Sequence, residues 1–172
     1  MRWRLRSAVP ADAAALSLVA GATFLEAFVD LLPGPDIVAH CAAKSSPAAF
    51  AAWLNDCESI VTLAEREGTA APIGYTVLTT PDLPLALSPS DIELKRIYTL
   101  AGTHGGGLGP ALMQRAEEDA LALGRTRMLL GVHPENRRAR RFYERSGFRV
   151  VGQREFQVGS QRLLDPIYAK DL

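Results

Sequence analysis

A glycine-rich turn at residues 104–109, HGGGLG, joins a strand pattern to a helix pattern and most constrains what this chain can fold into. Residues 92–100 alternate apolar and polar side chains, as a half-buried strand does. Residues 110–123 follow helical spacing and end at Gly124. Glycines let backbone N–H groups approach a ligand, and the N-terminus of the next helix attracts anions. The junction therefore predicts an anion site suited to a pyrophosphate.

Other phosphate-binding turns are disfavoured by the residues around the glycines. A Walker A loop needs Lys and Ser or Thr directly after them, whereas Leu108, Gly109 and Pro110 follow here. A dinucleotide-binding fold would place the turn near the N-terminus of a βαβ repeat. A flexible turn without a ligand explains the segment equally well, so the turn alone leaves the anion site open.

The remaining patterns predict the order of the elements. We predict strands at 2–6, 60–65, 73–79, 92–100, 128–132, 148–157 and 163–169, and helices at 11–29, 36–43, 47–56, 110–123 and 136–146. This order indicates an α/β fold with a mixed sheet and helices on both faces. A length of 172 residues suits a single domain spanning 1–172.

Composition limits the classes of partner. The 19 basic and 19 acidic side chains balance, which disfavours nucleic acid as a partner. The first ten residues are too polar for a signal peptide, and we find no run near the ~20 apolar residues of a membrane span. Cys41 and Cys57 have no C-x-x-C partner, and the histidines are dispersed, so we expect a cytoplasmic protein without a membrane or metal site.

A second motif lies at residues 132–148. Asn136 and Tyr143 are two helical turns apart, so both side chains project from one face of the predicted helix. Ala139 lies between them and is small enough to leave a groove.

Together the two motifs resemble the GNAT superfamily of N-acetyltransferases. The family pattern R/Q-x-x-G-x-G/A corresponds to His104-x-x-Gly107-x-Gly109, and N-x-x-A-x-x-F-Y-x-x-x-G-F begins here at Asn136 and ends at Phe148. The resemblance covers nearly the whole chain in element order and is most specific over 92–152. It implies a mostly antiparallel sheet of six to seven strands and an acetyl-CoA-dependent N-acetyltransferase that acts on a primary amine.

The resemblance also implies which residues bind acetyl-CoA. The backbone of Ile97, Tyr98 and Thr99 would pair with the pantetheine arm, and Asn136 would hydrogen-bond it. The pyrophosphate would be held by the N–H groups of the turn, with Pro110 lacking one: Gly105, Gly106, Gly107, Leu108, Gly109, Pro110.

One departure from the family bears on the phosphates. The family often has Arg or Gln where this chain has His104, and Arg or Lys among the next residues, which here are glycines. Phosphate binding would then rest on backbone and helix dipole. Arg137 or Arg138 would add charge if one reached a phosphate, but a solvated helix face explains the arginine cluster as well.

Acyl transfer to an amine needs a base, oxyanion donors and an acid for the leaving thiolate. Tyr143 resembles the family's general acid, although a tyrosine that anchors the helix to the sheet is the alternative. A backbone N–H in the 97–99 stretch would serve the oxyanion. Glu93 matches the position of a glutamate base in histone-acetylating members, although a surface ion pair with Lys95 explains it as well. His133 is a weaker base candidate.

The acceptor is less constrained. A looser similarity at 23–28, 73–75 and 93–98 points to the polyamine acetyltransferase branch, and Glu26, Asp30 and Asp36 would offer charge to a polyamine or simply be solvated. We expect direct transfer in a ternary complex to a small-molecule amine. Acetylation of a protein N-terminus or lysine, and a non-catalytic acetyl-CoA-binding module, are the alternatives. Monomer and homodimer both remain open.

Overall fold

The fold is described from a computed structural model that covers residues 2–158 and 161–172. Its strands are β1 Trp3–Ser7, β2 Ile60–Arg66, β3 Pro72–Thr79, β4 Asp91–Thr99, β5 Arg127–Gly131, β6 Arg149–Val158 and β7 Gln161–Asp171. Its α-helices are α1 Ala13–Phe28, α2 Gly34–Lys44, α3 Pro47–Leu54, α4 Leu108–Ala122 and α5 Arg137–Arg145. Each corresponds to an element that the sequence patterns predict.

All seven strands join in one sheet, in the order β1-β2-β3-β4-β5-β7-β6. Neighbouring strands are antiparallel except β4 and β5, which run parallel. The predicted mixed, mostly antiparallel α/β sheet is therefore confirmed.

Helices cover both faces of the sheet. On one face α1 and α3 pack on β2 and β3, in a core that includes Leu16, Phe50 and Tyr75. On the other face α4 and α5 pack on the central strands, around Met113 and Tyr143. The apolar stripes that predicted these helices thus lie against the sheet.

Strands β4 and β5 are joined over a short stretch only. Their register runs from Asp91 opposite Arg127 to Glu93 opposite Leu129. Beyond Glu93, β4 continues to Thr99 but pairs only with β3. Because the register against β3 shifts between Val77 and Leu78, Lys95 is an extra residue, and such a bulge bends a strand. The two strands therefore diverge, and the far half of β4 leaves one edge open.

One expectation from composition was too strong. The segment Pro10–Phe28 has 19 residues and a mean hydropathy of 1.4, so by length and composition it qualifies as a membrane span. In the structure this segment contains α1, which buries Leu16, Val19, Phe24 and Phe28 in the protein core. About 33% of the segment is buried, and its opposite face leaves Leu18 and Leu25 exposed.

The closed end of the β4–β5 pair contains an ion pair that we expect to stabilise the fold. The Asp91 carboxylate is buried and accepts from Arg127 Nε at 2.8 Å, Arg127 Nη2 at 2.6 Å and the Ser88 N–H at 2.8 Å. Asp91→Asn leaves these donors without a charged acceptor. It should lower the free energy of unfolding at pH 7 by about 1–3 kcal/mol, measured by urea denaturation.

The same variant gives a test in pH. Hydrogen bonds from Arg127 hold the pKa of Asp91 below its ordinary value, against the effect of burial. Its contribution is therefore present above the unfolded pKa of about 4 and is lost as pH falls through the lower folded value. The difference between wild type and Asp91→Asn should shrink below about pH 4. Asp171→Asn, which breaks an exposed pair with Arg149, is the control and should cost less than about 1 kcal/mol. Equal losses for both variants would contradict the role of Asp91.

Candidate functional site

A cleft of about 1420 Å³ opens where β4 and β5 diverge. It is lined by α1, parts of α2 and α3, the second half of β4, the glycine-rich turn, the start of α4, the end of β5, α5 and parts of β6 and β7. We call the end at the glycine-rich turn the anion end. The end between α1, α2 and the last two strands is the acceptor end.

At the anion end the backbone presents unpaired donors. Gly105 and Gly107 have φ of +80° and +79°, which favours glycine, and Gly107 caps α4. Within the described residues, the N–H groups of Gly105, Gly107, Leu108 and Gly109 donate to no carbonyl. These donors at a helix N-terminus are what an anion binds.

Two residues of the predicted phosphate loop, Gly106 and Pro110, offer no free N–H group. The Gly106 N–H donates to the Thr103 carbonyl at 3.2 Å, and Gly106 does not line the cleft. Helix α4 begins at Leu108, so Pro110 lies in its first turn, where a missing N–H costs no helical hydrogen bond.

The open edge of β4 forms one wall of the cleft. Ile97, Tyr98 and Thr99 line it and pair with β3 on their other side. Since β5 has diverged, an extended ligand has room to pair with this edge as an added strand.

Helix α5 contributes the opposite wall. Asn136 lines the cleft and caps the helix, its side-chain oxygen accepting from the Ala139 N–H at 3.1 Å. Tyr143 also lines the cleft, as predicted from its spacing of two helical turns from Asn136. The structure therefore brings Asn136, Tyr143 and the far half of β4 around one space.

Tyr143 is a buried phenol with its hydroxyl uncommitted. It is 8% exposed and packs among the rings of Phe142, Phe148 and Tyr168. Burial raises its pKa well above the ordinary tyrosine range. Among the described residues we find no hydrogen-bond partner for its hydroxyl, so the group is a neutral proton donor at the cleft.

Of the arginines at the start of α5, one is placed near the anion end. Arg138 lines the cleft, whereas Arg137 and Arg141 do not. Burial and the nearby positive charge of Arg138 lower the pKa of His104. Arg140 donates instead to the Tyr168 hydroxyl and the Pro134 carbonyl. Arg138 thus supplies charge that the glycine-rich turn lacks.

Glu93, the predicted base, lies outside the lining of the cleft. Its side chain is buried and pairs with Lys95 at 3.1 Å and, more loosely, with Arg154 at 3.9 Å. It also accepts the Asp82 N–H at 3.0 Å. The ion pair with Lys95 that the sequence offered as an alternative is present, but Glu93 is buried, so the expected surface location was wrong. The geometry does not favour the base role.

The acceptor end combines rings with a positive excess of charge. Its rings include Phe24, Phe28 and Phe156, and His40 stacks on Phe24 with centroids 4.2 Å apart. Burial, together with the charges of Arg96 and Lys44, lowers the pKa of His40 to about 4, so this imidazole is neutral at pH 7. Around these rings, four cations and two carboxylates line the cleft: Lys44, Lys95, Arg96, Arg154, Asp82, Asp165.

The acidic residues that the sequence offered for a polyamine are not grouped here. Glu26 lines the cleft but accepts the Ala101 N–H at 2.8 Å, near the glycine-rich turn. Asp30 and Asp36 are not in the lining.

Two side chains at the acceptor end were missed from sequence. Arg154 and Asp165 are register partners on β6 and β7, and both line the cleft. Two signals pointed to them: an acidic residue in the otherwise apolar run of β7, and Gly131 in the apolar β5. A glycine inside a strand often marks the close approach of another group.

Comparison with known proteins identifies related chains. Residues 25–148 match the model described as the acetyltransferase (GNAT) family. An uncharacterised N-acetyltransferase of Mycobacterium tuberculosis is 34% identical over 161 residues, which is 94% of this chain and 98% of the relative.

Solved structures share the fold. The PaiA N-acetyltransferase of Thermoplasma acidophilum, in complex with coenzyme A, matches with a TM-score of 0.82 and 20% identity over 100% of both chains. The ribosomal-protein-S18-alanine N-acetyltransferase of Escherichia coli matches with a TM-score of 0.71 and 16% identity, over 99% of this chain and 94% of that one.

Proposed function

Because the chain belongs to the acetyltransferase (GNAT) family and is an N-acetyltransferase, we propose that it transfers the acetyl group of acetyl-CoA directly to the primary amine of a small molecule. One observation carries the proposal. A single cleft joins unpaired N–H donors, an open strand edge and the uncommitted hydroxyl of Tyr143 to a separate acceptor end.

The anion end fits coenzyme A. The N–H groups of Gly105, Gly107, Leu108 and Gly109 would hold the pyrophosphate, with the dipole of α4 behind them. The charge of Arg138 would add to this site. The open edge of β4 at residues 97–99 and the Asn136 side chain would hold the pantetheine arm. Coenzyme A bound to a structural neighbour is consistent with this assignment.

Acetyl-CoA supplies a thioester whose acetyl group passes to the amine. As the amine attacks, charge develops on the carbonyl oxygen, and a backbone N–H in residues 97–99 would stabilise it. Tyr143 would then donate its hydroxyl proton to the leaving thiolate. A phenol whose pKa is raised by burial stays protonated at pH 7 and is available for that step.

The ammonium group of the acceptor must lose a proton before it attacks. Glu93 stays a prediction for this base, and its pairs with Lys95 and Arg154 outside the cleft weigh against it. His133 lines the cleft, but its Nδ1 accepts the Glu135 N–H at 3.2 Å. In the neutral ring the proton is then on Nε2, so His133 acts as a donor there.

A small acceptor is favoured by the walls of the acceptor end, where α1 and α2 face β6 and β7 across the cleft. A polyamine carries several ammonium groups, whereas four cations and two carboxylates line this end. We therefore expect an acceptor with a single ammonium group. If no small amine is turned over, protein acetylation and a non-catalytic acetyl-CoA-binding module are the two alternatives, and only the first releases coenzyme A with a protein acceptor.

The glycine-rich turn gives the first test. Gly107→Val places a β-branched residue at φ +79°, which costs about 1–2 kcal/mol and rotates the N–H groups of the turn. Acetyl-CoA affinity, measured by calorimetry, should fall about tenfold or more. Gly102→Val is the matched control, because a Cβ there meets no atom within 4 Å and φ is not positive. Equal affinity in both variants would contradict the phosphate-binding role.

The hydroxyl of Tyr143 gives the second test. Tyr143→Phe keeps the buried ring and removes the proton donor, so kcat should fall about 10²–10⁴-fold with little change in acetyl-CoA affinity. The measurement is thiol release at saturating acetyl-CoA. Tyr168→Phe is the control, because that hydroxyl donates to Glu144 and does not line the cleft. Unchanged turnover in Tyr143→Phe would remove the acid role.

A further inference from the structure

Three buried polar atoms at the acceptor end have no hydrogen-bond partner among the described residues. They are His133 Nε2, Arg154 Nε and Asp165 Oδ1, and all three residues line the cleft. A buried polar atom left unpaired costs about 1–3 kcal/mol, so most such atoms find a partner. Three at one end of a cavity indicate a place that a ligand completes.

Arg154 and Asp165 pair loosely. They face each other across β6 and β7, but Arg154 Nη2 and Asp165 Oδ2 are 3.5 Å apart. The Arg154 guanidinium lies 4.7 Å from the centre of the Phe156 ring, and its other carboxylate, Glu93, is 3.9 Å away. A tight bidentate pair has N–O distances of about 2.7–2.9 Å. Each ion therefore keeps capacity for a further partner.

The position of the guanidinium depends on Gly131. A Cβ added at Gly131 would lie 2.6 Å from Arg154 Cζ, closer than any side chain permits. Arg154 thus occupies the space that a side chain at the end of β5 would fill. Because Gly131 has no side chain, the Arg154 guanidinium can lie at the wall of the cleft.

His133 adds a second donor. Its Nδ1 accepts from the Glu135 N–H, so in the neutral ring the unpaired Nε2 carries the proton. The ring edge lies against Phe28, with centroids 5.7 Å apart. The three unpaired atoms are therefore two donors, on His133 and Arg154, and one ionisable acceptor, on Asp165.

We propose that the acceptor amine carries an acid oxyanion a few bonds from its nitrogen, as an α-amino acid does. Asp165 binds the ammonium group, while Arg154 and His133 bind the carboxylate. The two charges of the ligand must be close together, because Arg154 and Asp165 are cross-strand neighbours, whose Cβ atoms lie about 4.5–5.5 Å apart. A role of Arg154, Asp165 and His133 in acetyl transfer rests on the proposed function. Binding of the acceptor by these three residues does not.

The experiment compares common L-amino acids with the matching amino acid amides, with spermidine as the polycation. Coenzyme A release gives kcat/KM for each acceptor, and calorimetry gives its affinity for the full chain. An amide keeps the ammonium group and loses the carboxylate. Charge-assisted hydrogen bonds of about 1.5–3 kcal/mol predict that the best amino acid exceeds its amide by about 10–150-fold in kcat/KM.

The variants test the residues. Arg154→Gln should lower kcat/KM for the best amino acid by a similar factor and leave its amide nearly unchanged. Gly131→Ala should also reduce the preference, because it displaces the guanidinium while Arg154 remains. Asp165→Asn should lower kcat/KM for amino acids and for their amides by a similar factor. Arg149→Gln, an exposed position on the same strand, should change nothing. Thermal denaturation shows whether each variant is folded.

The outcomes separate the two proposals. If amino acids bind and lose affinity in Arg154→Gln, but no amine releases coenzyme A, the proposed function falls and the acceptor site stands. If amides or spermidine are acetylated with a kcat/KM equal to that of the best amino acid, the proposed function stands and the proposed acceptor site is wrong. Preference retained in both Arg154→Gln and Gly131→Ala also overturns it, as does a complete absence of acceptor binding.

Discussion

The site depends on the short length over which β4 and β5 are paired. The pair is parallel, holds from Asp91 to Glu93 on β4, and is anchored by the ion pair between the buried Asp91 carboxylate and the half-buried Arg127. Past that point the bulge at Lys95 bends β4, and β5 ends at Gly131. A longer pairing would satisfy the edge of β4 and fill the cleft. The short pairing leaves the edge of β4 at residues 97–99 without a neighbouring strand, so its backbone groups are available to a ligand.

The two ends of the cleft use different parts of the chain. At the anion end, binding groups are mostly backbone N–H donors set by Gly105, Gly107 and the start of α4. In the proposed function such a site would depend on backbone conformation, so it would not require a cation at the position of His104. At the acceptor end the polar groups that line the cleft are side chains, Arg154 and Asp165 among them, so in the proposed site a single substitution would change what binds. In the proposed function, recognition of acetyl-CoA and choice of the acceptor would thus be separable.

What the sequence predicted follows this division. The strand–turn–helix unit and the Asn136–Tyr143 face are local, and spacing along the chain determines which side chains share a face. The acceptor end is not local. Arg154 meets Asp165 only through the register of β6 on β7, and meets Gly131 through the order β5-β7-β6. For the same reason, the loose contact between Glu93 and Arg154 was not visible from Glu93 and its neighbours.

The looseness of the Arg154–Asp165 pair has a physical consequence for binding. Burial raises the pKa of Asp165, while the charge of Arg154 opposes the rise. Had the two ions formed a tight bidentate pair, each would satisfy the other, and a ligand would have to break that pair at a large cost. Arg154 Nη2 and Asp165 Oδ2 are 3.5 Å apart, and Asp165 Oδ1 and Arg154 Nε are unpaired among the described residues. Part of the cost of removing these two ions from water is therefore already present in the free protein. A zwitterionic ligand then gains contacts to both ions without separating them, which favours it over an amine that satisfies Asp165 alone.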